Sequence, residues 1–267
     1  MSEPVVSILM PFHGACPTLC SSVSSVLAQS YQEWELILVD DGGHDDVAAQ
    51  APISVQVSAR ASAQAFAEND SRIRYVKTQG GQGAAVARNQ GLEHAQGRYI
   101  AFLDADDRWH PSKLERQLAL MVQTGAALSH TAYERQLPNG QVLARVPARA
   151  RLSYDDMLGP NLMGCLTVMY DRERLGTQPM PNLPLQHDYA LWLRLLRLGG
   201  DAVGVDDALA YYRVSPGSLS SNKRHAIRDI WRVWSREENL PFWHCAAALW
   251  RYGWYSLRYR VLNKPEA

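Results

Sequence analysis

Apolar and polar residues fall in alternating blocks over the first hundred positions. The runs "VVSILM" (5–10), "WELILVD" (34–40) and "RYIAFLD" (98–104) are short and nearly all apolar, the pattern of strands covered on both faces, and "RIRYVK" (72–77) is a further strand candidate. Between them, "LCSSVSSVLAQS" (19–30) and "GAAVARNQGLEHAQG" (83–97) carry helical patterns, the second closed by glycine. Strands alternating with helices predict βαβ units and a mostly parallel sheet. Residues 51–70, alanine-rich and polar, have the composition of an insertion with a helical piece.

Further along, "AALSHTAYERQ" and "GQVLARV" (126–146) predict two strands joined by a turn at Pro138-Asn139-Gly140. "GCLTVMYDRERL" (164–175) predicts a strand running into a short helix. "HDYALWLRLLRLG" (187–199) is an amphipathic helix with Leu191, Trp192, Leu195 and Leu198 on one stripe. Trp192 belongs to the core on this spacing, whereas Trp109 fits either side. "DALAYYRV" (207–214) is a strand followed by the polar loop "SPGSLSSNK", and 223–262 is helical.

Totals narrow the class of protein. A chain of 267 residues, 46% apolar and 20% charged, suits one large domain, or one domain plus a terminal extension. Acids and bases balance at 27 each, which points away from nucleic acid as a partner. Cys16, Cys20, Cys165 and Cys245 lack a paired zinc-ligand spacing and form no disulfide framework, as expected in a reducing cytoplasm. The N-terminal stretch has no basic, apolar leader pattern, and no window is apolar enough to predict a spanning helix.

Candidate chemistry concentrates at "YIAFLDADDRWHP" (99–111), where Asp104, Asp106 and Asp107 follow a buried strand. Like charges this close raise one another's pKa unless a cation neutralises them. Two readings compete: turn-forming aspartates that cap the helix near Pro111, or oxygen ligands for a divalent cation such as Mg²⁺ or Mn²⁺. Ligands of parallel sheets bind at the carboxyl ends of strands, and that rule gathers His13-Gly14, Asp40-Asp41 and Asp104-Ala105-Asp106 along one edge. Caps have no reason to gather there, so the edge favours the cation. Glycines in "QGGQGAAVARNQG" (79–91) precede a helix but lack the dinucleotide spacing and follow a later strand.

The pieces "VSILMPFHG", "WELILVDDGGHDD", "GAAVARNQGLEHAQGRYIAFLDADD" and "LQHDYALWLRLLRLGG", in this order, resemble a family 2 glycosyltransferase of the GT-A fold, over roughly residues 5–221. Within that family the chain resembles bacterial enzymes of O-antigen, capsule or teichuronic-type polysaccharide synthesis. The resemblance implies an α/β GT-A fold, Rossmann-like with a mostly parallel sheet flanked by helices. It implies a catalytic domain over 1–221, with a nucleotide-sugar part to about 110 and an acceptor part from about 111, then a helical basic and aromatic extension over 222–267. It implies an inverting hexosyl transfer from a nucleotide sugar, UDP-linked by expectation, to a glycan or a polyprenyl-diphosphate-linked sugar.

Residue by residue, the resemblance assigns nucleotide binding to Pro11, His13, Asp40, Asp41, Gly83, Arg88 and Asp104, with Asn89 also fitting the pattern. Asp106 falls at the direct metal ligand, beside Asp104. Asp188 falls at the general base, which takes a proton from the acceptor hydroxyl as it attacks the anomeric carbon; a plain reading is an acid favoured in a first helical turn. His187, Arg213 and Ser220 fall in the acceptor and diphosphate loop. Departures are His13 for a tyrosine, Gly14 and Gly81 for asparagines, Gly43 for a serine and His187 for a glutamate.

Two other function classes fit part of the pattern. A nucleotidyltransferase also uses a sheet-edge acid cluster with a divalent metal, but the first loop, "PFHGACPTLC", contains no Lys or Arg. A non-catalytic nucleotide- or sugar-binding relative accommodates the departures. The tail carries nine Lys/Arg against three acids between Lys223 and Lys264, and five of the eight tryptophans at 231, 234, 243, 250 and 254. It reads equally as an interfacial segment on anionic lipid, peripheral on the inner face of the plasma membrane, or as helices packing onto the catalytic domain or a second subunit.

Overall fold

A computed structural model describes residues 5–14, 16–42, 53–214 and 223–262. Four strands open the fold: β1 (Val6–Phe12), β2 (Trp34–Asp40), β3 (Ile73–Lys77) and β4 (Tyr99–Phe102), joined through α1 (Leu19–Leu27), α2 (Ile53–Asn69) and α3 (Ala84–His94). They lie in the order β3-β2-β1-β4, all parallel. Every residue of β1 and β2 is buried, as expected for strands covered on both faces.

The alanine-rich stretch is no insertion. It forms α2, the crossover helix between the parallel neighbours β2 and β3, and Ala59 and Ala63 are its buried contacts. Small side chains let it lie close to the sheet. At the end of α3, Gly97 passes so near β1 that a Cβ there would stand 2.7 Å from the Ser7 nitrogen.

The other side of the sheet is mixed. β5 (Arg108–Trp109), α4 (Lys113–Thr124), β6 (Leu128–Gln136), β7 (Val142–Val146), β8 (Arg151–Leu152), α5 (Tyr154–Met157), β9 (Met169–Asp171), α6 (Arg172–Leu175), α7 (His187–Gly199) and β10 (Ala202–Arg213) follow in the chain. β9 wedges antiparallel between β4 and β6, and β10 runs parallel to β6 and antiparallel to β5 and β8. The parallel expectation thus describes the first half of the sheet only. The β6–β7 hairpin turns at Gly140, whose φ of 87° suits glycine.

α7 is buried nearly all round, Trp192 completely, so this tryptophan is core. Leu198 departs from the expected stripe: it is 56% exposed, on the strip that Arg194 and Arg197 also occupy. Beyond residue 222 come α8 (Lys223–Arg232), a π-helical turn over 233–237 and α9 (Phe242–Leu262). Ile230, Val233, Trp234, Cys245 and Ala248 join the same hydrophobic core as α7, and Trp234 donates its indole N–H to the Tyr189 hydroxyl at 2.9 Å. Trp109 is buried and donates to the Leu166 carbonyl at 2.8 Å.

Candidate active site

Neither Asp106 nor Asp107 caps α4; Ser112 occupies that position. The backbone turns back on itself instead, Asp107 N–H donating to the Asp104 carbonyl at 3.0 Å. This tight turn sends the three carboxylates in different directions. Asp106 faces a cavity of about 690 Å³ at the carboxyl ends of β1, β2 and β4, and Asp107 faces a second of about 430 Å³; Asp104 lines both. Two cavities separated by one carboxylate are the central feature of the site.

The larger cavity is walled by Pro11, His13, Asp41, Gly83, Arg88 and Arg213 along with the acids, so the strand-end rule brought most of the expected residues together. His13 binds the Asp41 carbonyl through Nδ1 at 2.8 Å, and a carbonyl only accepts, so Nδ1 carries the hydrogen. The Asp41 carboxylate accepts from Thr78 Oγ1 at 2.8 Å, Gln82 N–H at 3.2 Å and Gly83 N–H at 2.7 Å. It thereby holds the glycine loop at the N-terminus of α3, where a negative charge is favoured. Gly83 takes φ 93° there, a value open to glycine.

Asp40 is placed otherwise than expected. It is fully buried and does not line the cavity. Its carboxylate accepts from Arg60 Nε at 2.9 Å, the Tyr75 hydroxyl at 2.8 Å and Gly42 N–H at 2.8 Å. Burial and this carboxylate push the Tyr75 phenol up to about 12, so it stays a donor. Asp40 therefore fixes the loop after β2. Ser220 and Gly43 lie outside the described residues.

Arg88 lines the larger cavity and holds the carboxylate that both cavities share. Buried on α3, it pairs with Asp104 and donates from Nη1 to His187 Nε2 at 2.9 Å. An arginine only donates, so Nε2 accepts and the proton of His187 sits on Nδ1, which reaches the Leu183 carbonyl at 3.2 Å. Burial, then the neighbouring guanidinium, lowers the His187 pKa, and the imidazole is neutral. Arg88 Nε is buried without a hydrogen-bond partner among the described residues. Asn89, next on α3, exchanges hydrogen bonds with the Met180 backbone, both at 2.8 Å.

Asp188 opens onto the smaller cavity from the first turn of α7, accepting from the Tyr189 N–H at 2.7 Å. Arg213, at the end of β10, closes the acid turn from above. Its N–H donates to the Asp107 carboxylate at 2.8 Å and its Nε to the Asp106 carbonyl at 2.9 Å. Burial first, then Asp104 and Asp106, pushes the Asp107 pKa well up; burial and Asp104 raise Asp106. Sequence reasoning offered Asp107 as a cap or a cation ligand and did not place it in the smaller cavity, and it missed Tyr133 and Tyr255, which with Tyr212 complete that cavity. Tyr133 and Tyr212 pack edge to face at 6.4 Å. Only the adjacency of Tyr212 to Arg213 offered a signal.

Such carboxylates favour a hard cation with oxygen ligands, and Asp106 and Asp104 in the larger cavity have the right donor chemistry. Among the described residues no group of three or more His, Cys, Asp or Glu side chains is disposed to hold a metal. One or two carboxylates are what Mg²⁺ or Mn²⁺ takes when substrate phosphates complete its shell.

A sheet-edge crevice beside a second pocket, with one carboxylate between, is the layout of an enzyme that transfers a group between two substrates. The chain belongs to glycosyl transferase family 2, whose profile matches residues 7–169. It is 42% identical over 241 residues, 90% of this chain and 91% of the relative, to the Bacillus subtilis (strain 168) protein named "Putative teichuronic acid biosynthesis glycosyltransferase TuaG". It is 35% identical over 234 residues, 87% of this chain and 86% of the relative, to the Escherichia coli UDP-Glc:alpha-D-GlcNAc-diphosphoundecaprenol beta-1,3-glucosyltransferase WfgD. The fold matches S. aureus TarS 1–349 in complex with UDP-GlcNAc with a TM-score of 0.65 at 16% identity, covering 92% of this chain and 71% of that one; against the longer TarS chain the coverage is 42%. The expected GT-A fold is thereby established, and the protein is a glycosyltransferase.

Proposed function

We propose that this glycosyltransferase moves a sugar, with inversion, from a UDP-sugar to a lipid-linked or glycan acceptor in bacterial surface polysaccharide synthesis. The observation that carries the reading is the pair of cavities meeting at Asp104, one with the acids expected to face a diphosphate and the other with Asp188. The naming of the Bacillus and Escherichia relatives supports the pathway and the UDP donor, and the second relative supports a diphosphate-linked acceptor.

In this reading the larger cavity takes the donor. Asp41 and the loop it holds face the base, with His13 beside it. Asp106, assisted by Asp104, holds a divalent cation, which when bound supplies a Lewis acid for the departing diphosphate. Arg213 caps the same turn and offers its guanidinium to phosphate oxygens. The smaller cavity takes the acceptor, and Asp188 removes the proton from its attacking hydroxyl. His187, neutral, accepts from Arg88 and leaves the guanidinium charge balanced by Asp104. The enzyme acts in the cytoplasm, peripheral on the inner face of the plasma membrane; the exposed aromatic residues of α9 support that placement. No helix among the described residues is long and apolar enough to cross a membrane.

Calorimetric titration of UDP, GDP and dTDP, with and without Mn²⁺, into wild type and Asp106→Asn tests the donor site. The expected result is Mn²⁺-dependent binding of UDP that the variant loses. Equal UDP binding with and without the metal, or in the variant, overturns the metal assignment, and absence of binding by every nucleotide overturns the donor site.

A further inference from the structure

The transfer chemistry leaves two arginines unused beside the smaller cavity: Arg149, which lines it, and Arg251, one turn of α9 before the lining residue Tyr255. Arg149 lines the cavity and is half-exposed. Its backbone is fixed from below, because buried His130 donates from Nε2 to the Arg149 carbonyl at 3.2 Å. Arg251 comes from α9, which packs so closely on Gly159 that a Cβ there would stand 3.3 Å from Arg251 Cβ. Both guanidinium groups act on Asp156, which Arg149 reaches at 3.3 Å. That carboxylate is already engaged: its Oδ2 accepts from Ser153 N–H at 3.0 Å and Ser153 Oγ at 2.7 Å in the capping box of α5. Arg149 thus pairs with a carboxylate that is itself partly used, and Arg251 adds a second guanidinium on the helix packed against Gly159.

The helix that supplies Arg251 is unusual on its outer side. Cys245, Ala248, Leu249 and Tyr252 face the core, which leaves Trp243, Trp250, Trp254 and Leu257 pointing outward, between 54% and 78% exposed. A helix on the surface of a soluble domain normally turns polar residues outward. Trp250 and Trp254 stack at 6.1 Å, nearly parallel. Arg251, which packs against Gly159, follows Trp250, and Tyr255, which lines the cavity, follows Trp254. Cavity wall, cationic rim and apolar stripe therefore lie side by side along one helix.

We infer that Arg149 and Arg251 hold the diphosphate of a lipid-linked acceptor, with its lipid chain laid along the aromatic stripe of α9 and its sugar directed to Asp188. The inference rests on the acceptor reading given above. Guanidinium forks match phosphate oxygens, and the spatial order of sugar pocket, cations and apolar stripe is the order of groups along such an acceptor. An anionic lipid headgroup presents the same oxygens, so the test separates the two sources.

Farnesyl diphosphate, farnesyl phosphate and farnesol are titrated into the full chain, with UDP and Mn²⁺ present, and anionic phosphatidylglycerol vesicles are tested by co-sedimentation. The diphosphate is expected to bind at least about tenfold tighter than farnesol, and Arg149→Ala and Arg251→Ala each to weaken it about tenfold while leaving farnesol unchanged. Lysine at either position restores part of the loss, and unchanged melting temperatures show that the variants fold. Equal affinity for the three probes, or alanine variants that bind like wild type, overturns the inference. So does loss of vesicle binding with farnesyl diphosphate binding intact, which assigns the arginines to headgroups. UDP binding is read separately in the same protein. If UDP binds and the diphosphate preference is absent, this inference alone fails; if UDP does not bind, the donor reading fails and takes the inference with it.

Discussion

The two cavities flank one carboxylate, yet they are built in opposite ways. The donor side is assembled from the ends of successive parallel strands, with every wall but Arg213 drawn from residues 11–106. The smaller cavity, the proposed acceptor side, draws on residues from Asp104 to Tyr255, through the β6–β7 hairpin, the segment 161–166, α7, β10 and α9. Its walls also carry three tyrosines, Tyr133, Tyr212 and Tyr255. A site made from strand ends inherits its position from a topological rule, whereas a site made from scattered side chains has to be fixed contact by contact. On the proposed assignment, variation on the acceptor side changes what is accepted without disturbing how the donor is held.

The sharpest way to separate the two sides is Asp188→Asn. Transfer is expected to fall about a thousandfold, within the range for loss of a general base, while UDP affinity by calorimetry stays unchanged. Wild-type turnover in that variant removes Asp188 from its role, and parallel loss of UDP binding shows that the two cavities are not independent.

Acid sensitivity is expected to come from the acceptor side. Burial lowers the His130 pKa from its usual 6.5 to about 4, so the folded protein keeps it neutral while the unfolded chain protonates. Between those values the unfolded state binds more protons, and stability falls as pH drops from about 6.5 towards 4, by on the order of 3 kcal/mol at most. Denaturant melts of wild type and His130→Gln across that range should converge at low pH; the same slope in both assigns the acid loss elsewhere.

A smaller effect is expected from glycines where the chain passes close to itself. Gly97→Ala crowds β1 on the donor side, and Gly204→Ala drives a methyl into the Arg149 carbonyl on the acceptor side. Each should cost about 1–3 kcal/mol in urea melts. Gly204→Ala should also weaken acceptor-analogue binding, and Gly97→Ala should not. The smallest change is expected for Trp250→Ser, whose side chain is mostly exposed: within about 0.5 kcal/mol by denaturant melt. A larger loss would mean that the stripe is packed in solution.

The same contrast governs how much could be read beforehand. β1, β2 and β4 announce themselves as unbroken apolar runs, and the strand-end rule then placed His13, Asp41 and Asp104 together without any knowledge of contacts. Asp40 was misplaced because adjacent residues on a strand point to opposite faces, and only the position of Arg60 and Tyr75 shows which face is which. α2 looked like an insertion because a helix that packs through alanines has little apolar contrast. Leu198 looked buried because its spacing matched the stripe, although at that turn of α7 the side chain shares the outer strip with two arginines. Tyr133 and Tyr255 carry no local signal, and Tyr212 only its place beside Arg213, since their meeting depends on β6, β10 and α9 converging.

The three-residue strand β9 has a further consequence for the order of assembly. Among the described residues it joins β4 to the β6 side of the sheet, and it stands between β4 and β6 although it follows both in the chain. A polypeptide emerging from the ribosome can condense β1 to β4 from neighbouring segments, but it has no template for docking β6 until Met169–Asp171 has been made. Short-range closure is quick and long-range closure slow. The nascent protein thus acquires the donor crevice before the acceptor pocket exists, and the edge of β4 stays unpaired for the time needed to synthesise the intervening chain.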